Sequence, residues 1–284
     1  MPNRAPGRAQ PSPLDLFGWG GLVVATRVVV VANQKGGVGK TTTAISLGAT
    51  LAAYEHKTLL VDLDPQSNCS SGLGFGGGEC AATSYDVLLG DKTTEQAIRP
   101  TEFPHLSIIP ATPHLAGAEV ELVGMVGREF RLREALVREQ IAAFEFILVD
   151  CPPSLGLLTL NALAAADALL VPIQCEYFAM EGVSMLMTTV DEVRRFLNPN
   201  LVIDGILLTM YDERTNLAQQ VAEEVRGVFG QQVFETVVPR NVRLAEAPSF
   251  GRPIHAYDLR SRGSQAYLQL GREYLERLGG TNGG

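Results

Sequence analysis

The hydrophobic positions fall into short, continuous β-branched runs separated by longer segments with helical spacing. Arg27–Asn33 (RVVVVAN) and Phe146–Asp150 (FILVD) are apolar at consecutive positions, not at alternate ones. Strands that read this way are buried on both faces, as in parallel sheets. Further strands are expected at Thr58–Asp62, Leu106–Pro110, Ala168–Ile173, Leu201–Thr209 and Val233–Val238. Between them the pattern predicts helices over Thr41–Tyr54, Leu115–Gly124, Glu129–Ala143, Leu155–Ala165, Met180–Leu197, Leu217–Phe229 and Ser264–Leu278. This alternation predicts an α/β fold: a doubly wound, mostly parallel sheet flanked by helices. Gly72–Gly78 reads as a mobile loop within it. One domain is expected over residues 26–279, between flexible tails at 1–25 and 280–284.

Composition narrows the class. Of 284 residues, 46% are hydrophobic and 19% charged, which excludes wholesale disorder. Lys and Arg number 23 against 31 Asp and Glu, a net charge of −8. That balance argues against a protein that coats nucleic acid with its whole surface, but leaves room for one basic face. The cysteines at 69, 80, 151 and 175 form no C-x-x-C pair, and no His stands at metal-ligand spacing from them. A zinc site and a disulfide scaffold are both disfavoured, and reduced thiols in a cytosolic protein are expected.

The longest apolar run, Leu22–Ala32, is interrupted by Thr26 and Arg27. It is about half of the ~20 residues that a membrane-spanning helix needs. Met1–Gly21 is rich in Pro, Gly and Arg and lacks the layout of a signal peptide. It reads as a flexible tail, or as the result of a start codon placed too early, since compact folding begins near Thr26.

The first strand runs straight into Gln34-Lys35-Gly36-Gly37-Val38-Gly39-Lys40-Thr41-Thr42 and then into a helix. Strand, glycine loop and helix are the context of a phosphate-binding loop. Glycines let backbone N–H groups turn inward around a β-phosphate, and the helix points its positive end at the same group. Lys40 supplies a point charge to the β- and γ-phosphates, and the Thr41 hydroxyl is placed to ligate Mg²⁺. The loop departs from the G-x-x-x-x-G-K-[ST] spacing, because the eight residues ending at Thr41 begin at Gln34. The additional Lys35 cannot easily reach its own γ-phosphate around the turn, but is placed to reach one on a facing subunit.

KGGVGKTT resembles the deviant Walker A loop of the ParA/MinD family of ATPases. The resemblance implies ATP bound with Mg²⁺ at Gly36, Gly37, Val38, Gly39, Lys40, Thr41 and Thr42. It also implies a nucleotide-sandwich homodimer with Lys35 crossing between subunits.

Two acidic strand ends follow. LLVDLDP delivers Asp62 and Asp64 to the carboxyl end of a strand, where α/β sheets bind ligands. A carboxylate there orients an attacking water or touches the Mg²⁺ shell, and the pattern alone does not say which aspartate does so. VDLDPQ resembles the family's A′ motif, which assigns support of hydrolysis to Asp64. FILVDCPPS ends an apolar strand in Asp150, the Walker B arrangement, so Asp150 is expected to hold Mg²⁺. Cys151 occupies a variable position in the family's D-x-P-P switch and reads as a small buried residue. His56, His105, His114 and His255 form no recognisable dyad and read as surface residues.

TMYDERT (Thr209–Thr215) and VPRNVRLAEAPSFG (Val238–Gly251) resemble the Soj-like chromosomal branch of the family, over roughly Arg27 to Leu278. The resemblance places Met210 among the nucleotide-binding residues and leaves no room before Thr26 for an extra helix-turn-helix domain. Membrane-binding MinD relatives end in a basic amphipathic helix, whereas the polar face of the last helix here carries Arg272, Glu273, Glu276 and Arg277. The iron–sulfur relatives need bridging cysteines that this chain lacks.

Between Pro239 and Gly263, arginines 240, 243, 252, 260 and 262 face only Glu246 and Asp258. Charge alone favours a solvated, locally paired surface. The resemblance favours sequence-nonspecific double-stranded DNA, held by Arg240, Arg243 and Arg214 in the ATP-bound dimer. It also implies a ParB-type partner that stimulates hydrolysis, effects on the replication initiator in some cells, and a cytoplasmic, nucleoid-associated protein. A MinD-like membrane-positioning ATPase and a cargo-positioning relative tracking the nucleoid are the rival readings.

Overall fold

In a computed structural model, residues 26–76, 80–136, 141–177 and 179–281 are described. The expected tail at 1–25, residues 282–284 and the Gly77–Gly78 end of the glycine loop lie outside them. Seven strands form one sheet: β1 (Arg27–Val31), β2 (Thr58–Asp62), β3 (Arg99–Pro100), β4 (Leu106–Ile109), β5 (Phe146–Asp150), β6 (Ala168–Gln174) and β7 (Val202–Thr209). Their order is β3-β4-β2-β5-β1-β6-β7, and every pairing is parallel except that of the short β3 with β4. The continuous apolar runs are buried on both faces, as the pattern predicts.

Alternate residues of each strand feed two hydrophobic layers. Val28, Val30, Leu59, Ile147 and Leu169 pack beneath helices Leu157–Ala165 and Ala179–Phe196. Val29, Val31, Leu60, Leu148 and Leu170 pack beneath helices Lys40–Ala53 (α1) and Arg262–Thr281. These last two helices lie so close that a Cβ on Gly271 would stand 2.4 Å from Thr50 Cγ2.

Three expectations need correction. Val233–Val238 is not a strand; only Val233 and Pro239 make isolated bridges, to Ile206 and Tyr211. The Glu273 carboxylate accepts from the backbone N–H groups of Glu235 and Thr236, at 2.8 and 2.9 Å, and so takes donors a ladder would need. The helix expected over 129–143 is not continuous: Arg131–Ala135 is helical and ends at Leu136, Ile141 is helical again, and residues 137–140 lie outside the described ones. The last helix, Arg262–Thr281, begins before Ser264 and continues past Leu278 into the first two residues of the tail expected at 280–284.

At the amino end of the sheet, Arg27 Nε donates to Asp204 Oδ2 at 3.2 Å and the Tyr274 hydroxyl donates to the same oxygen at 2.6 Å. This network ties β1 and β7 to the last helix. Asp204→Ala is expected to leave the largely buried guanidinium unpaired and to cost about 2–3 kcal/mol, read as a lower urea midpoint. An unchanged midpoint would remove the network from the stability account.

Candidate active site

The register of the sheet assembles the site. Val31 of β1 and Asp62 of β2 both lie opposite Asp150 of β5. The loop after β1 and both acidic strand ends therefore meet at the carboxyl end of the sheet, where such folds bind ligands. From β1 the chain turns through Gly37 and Gly39, at φ +73° and +90°, a left-handed conformation that costs glycine little. Gly39 is the N-cap of α1 and no side chain caps it, so the helix's free N–H groups and positive end face the loop.

Two side chains brace the loop from outside. Asn33 donates from Nδ2 to the Pro172 carbonyl at 2.7 Å and accepts from the Lys35 N–H at 3.0 Å. Thr209, the last residue of β7, donates from Oγ1 to the Val38 carbonyl at 2.8 Å. Lys40 is buried, and its Nζ donates to the Lys35 carbonyl at 3.1 Å. Burial lowers its pKa, while Asp150, Cys151 and Asp64 oppose that shift. Thr41 and Thr42 follow on the first turn of α1, half-buried.

The three carboxylates do different jobs. Asp62 accepts from the Asp64 N–H at 3.1 Å and from the Ser70 N–H and hydroxyl at 2.8 and 2.6 Å. Burial lifts its pKa to about 6, against the pull of those hydrogen bonds. Ser70 Oγ in turn accepts from the Ala111 N–H at 2.8 Å. Asp62 is thus a post that fixes the turn carrying Asp64. Asp64 is buried too, and its Oδ1 accepts from the Gln66 N–H at 2.9 Å.

Asp150 is wholly buried, and neither carboxylate oxygen has a hydrogen-bond partner among the described residues. Burial and then Asp62 push its pKa well above the ordinary value, with the nearby Thr41 hydroxyl and Lys40 pulling the other way. A buried carboxylate without partners is costly unless a ligand completes it. Carboxylate and hydroxyl oxygens are the hard donors that Mg²⁺ takes, and Mg²⁺ needs few of them from protein. Asp150 and Thr41 therefore fit the ion.

Lys35 is a third exposed, with Nζ 3.3 Å from Glu176 Oε2. Glu176 also accepts a short hydrogen bond from Gln174 and stands 4.0 Å from Arg240 Nη2. Met210 follows Thr209 at φ +50°, half-buried at the end of β7. A left-handed non-glycine residue at a ligand-binding edge is the kind of strain functional sites carry.

Arg214 and Arg243 are exposed and locally paired. Arg214 grips Asp212 with two hydrogen bonds, at 2.8 and 2.7 Å. Arg243 Nη1 is 2.8 Å from Glu246, and its Nε is 3.6 Å from Asp258. Arg252 and Arg260 are exposed, and their guanidinium groups have no acidic partner among the described residues.

Cys151 is buried, and burial drives its thiol pKa well above the ordinary value, which suits an inert residue. All four cysteines are free. Two histidines are not the surface residues expected. His56 Nδ1 lies 2.7 Å from Glu145 Oε2, with its ring edge-on to Phe146. His255 has both ring nitrogens buried, and burial lowers its pKa. Sequence reasoning missed Asn33, Ser70, Glu176 and Thr209, none of which belongs to a local pattern that signals its contact.

Among the described residues, no helix is long and apolar enough to cross a membrane. A family model described as an AAA domain matches residues 26–203. The chromosome partitioning protein ParA of Myxococcus xanthus is 58% identical over 257 residues, 90% of this chain and 90% of the relative. The sporulation initiation inhibitor protein Soj of Bacillus subtilis is 52% identical over 249 residues, 87% of this chain and 97% of the relative. Among solved structures, cobyrinic acid a,c-diamide synthase from Mycobacterium smegmatis, with bound ATP analogue and magnesium, superimposes with a TM-score of 0.78 at 37% identity, covering 89% of this chain and 96% of that one.

Proposed function

The chain belongs to the ParA/Soj family of chromosome-partitioning ATPases, and from that premise we propose that it works as a nucleotide-gated clamp on DNA. The observation that carries the ATP site is Asp150, a buried carboxylate whose oxygens have no hydrogen bond of good geometry among the described residues and which stands beside Lys40 and the Thr41 hydroxyl. In this reading Gly36–Thr42 hold the phosphates, with Lys40 as the charge and Met210 beside the nucleotide. Mg²⁺, held by Thr41 and Asp150, would neutralise charge on the β- and γ-phosphates. Asp64 orients the attacking water from a turn that Asp62 and Ser70 keep rigid.

Two such sites face each other in the dimer. Lys35 leaves Glu176 and reaches the γ-phosphate held by the facing subunit. Pairing two subunits doubles the arginines presented to one duplex, so DNA affinity rises steeply on closure. Arg214, Arg240 and Arg243 contact phosphates once they exchange their acidic neighbours for them. The Arg252 and Arg260 guanidinium groups, without acidic partners among the described residues, need no such exchange and join the same face. A ParB-type protein bound to the closed dimer accelerates hydrolysis, which opens the dimer and releases DNA. Residues 26–279 act in this cycle as one ATPase domain on the nucleoid.

Duplex binding measured with ATP, with ADP and without nucleotide, across a salt series, tests the proposal. ATP-dependent, salt-sensitive binding is expected. Arg243→Ala is expected to weaken binding with ATP roughly tenfold and to lower the salt slope by one to two ions per dimer. Equal DNA affinity in all three nucleotide states would overturn the clamp. Full affinity of Arg243→Ala in low salt would move the DNA face elsewhere. Liposome sedimentation with ATP separates the membrane-positioning alternative.

A further inference from the structure

The structure assigns Thr209 as a positioning residue for the phosphate loop, an inference that rests on the ATP reading of that loop. Thr209 is 2% exposed and closes β7 opposite Gln174 of β6. Its carbonyl accepts from the Cys175 N–H at 3.3 Å, so its backbone is anchored to the end of the neighbouring strand. From that fixed point its hydroxyl reaches the Val38 carbonyl at 2.8 Å, in a buried contact between residues 171 apart in sequence.

The consequence follows from the geometry of one peptide unit. The Val38 carbonyl and the Gly39 N–H belong to the same plane and point in opposite directions across a trans bond. Holding the carbonyl out toward β7 therefore aims the Gly39 N–H into the loop, where a phosphate oxygen would lie. Val38 stands between Gly37 and Gly39, both left-handed. A flip of this peptide turns ψ of Val38 and φ of Gly39, and glycine crosses between φ > 0 and φ < 0 readily, so the peptide can turn over unless it is held. Thr209 supplies the lock, and its methyl backs the loop as well. A Cβ added to Gly39 would lie 3.8 Å from Thr209 Cγ2. Asn33 braces the entry to the loop at Lys35 but makes no bond to Val38 or Gly39.

Thr209→Val keeps the shape and removes the donor. It is expected to raise both the dissociation constant and the KM for ATP by about 5- to 150-fold, the range for a buried acceptor left unsatisfied. The kcat is expected to stay within about twofold, since an amide that grips the phosphate in ground and transition states alike affects binding first. Thr209→Ser keeps the hydroxyl and is expected to restore ATP affinity to within about twofold of the parent. A purely structural role would instead lower the unfolding midpoint and the active fraction while leaving KM where it was. A parent-like KM in Thr209→Val, or a serine variant as impaired as the valine one, overturns the assignment. If the valine variant does not fold, Thr209→Ala against Thr209→Ser carries the same comparison. Lys40→Ala in the same titration keeps the two readings apart. If it binds ATP normally, the loop reading fails. If it loses ATP while Thr209→Val does not, Thr209 alone is wrong.

Discussion

Lys40→Ala is expected to abolish ATP binding, by on the order of a hundredfold or more in a calorimetric titration. The side chain is buried at the head of α1 and already desolvated, with its ammonium held on the Lys35 carbonyl. The cost of placing a charge there is met in folding, not on binding. Its loss removes the point charge opposite the phosphates, and charge-assisted hydrogen bonds contribute about 1.5–3 kcal/mol each. It also removes the positive charge that Lys40 sets beside Asp150 and Asp64, so an incoming triphosphate meets the acidic strand ends without that charge between them. Both effects act in the same direction. An affinity equal to that of the parent would remove this loop from the ATP site altogether.

Asp64→Ala is expected to separate binding from turnover. ATP affinity and ATP-dependent dimerisation should survive, while kcat falls by about 10²–10⁴, the usual worth of a positioned general base. The turn does not depend on this carboxylate. Asp62 anchors both ends of the segment, at the Asp64 N–H and at Ser70, and Ser70 reaches on to Ala111. Removing the Asp64 side chain forfeits one hydrogen bond, to Gln66, and leaves the post standing. Single-turnover hydrolysis on the preformed ATP complex reads the step directly. A normal rate would pass the role to another group.

How much of this was legible in the sequence depended on distance along the chain. The sheet, the loop and the aspartates 62, 64 and 150 are written in runs of under ten residues, so apolar pattern and spacing revealed them. The division of labour between Asp62 and Asp64 was not legible from pattern, because it depends on Ser70 turning back onto Asp62. Glu176 and Thr209 act on residues more than a hundred positions away. Val233–Val238 has the composition of a strand, and nothing near it announces that Glu273 captures two of its N–H groups. His255 looked like a surface residue because its burial comes from packing against distant elements.

The strand order also sets a timetable. β1 is complete at Val31, yet its two neighbours are β5 and β6, which end at Asp150 and Gln174. Contacts so far apart in sequence close late in folding. A growing chain therefore carries Arg27–Val31 unpaired, with both edges open, until more than half of the protein has been made. An unpaired run of valines is a template for wrong pairing. The glycine loop after β1 is also tied to Thr209, so no amino-terminal fragment ending before residue 209 has that loop fully braced. The strand that is made first is thus the one that stays exposed to wrong pairing longest while the chain is being made.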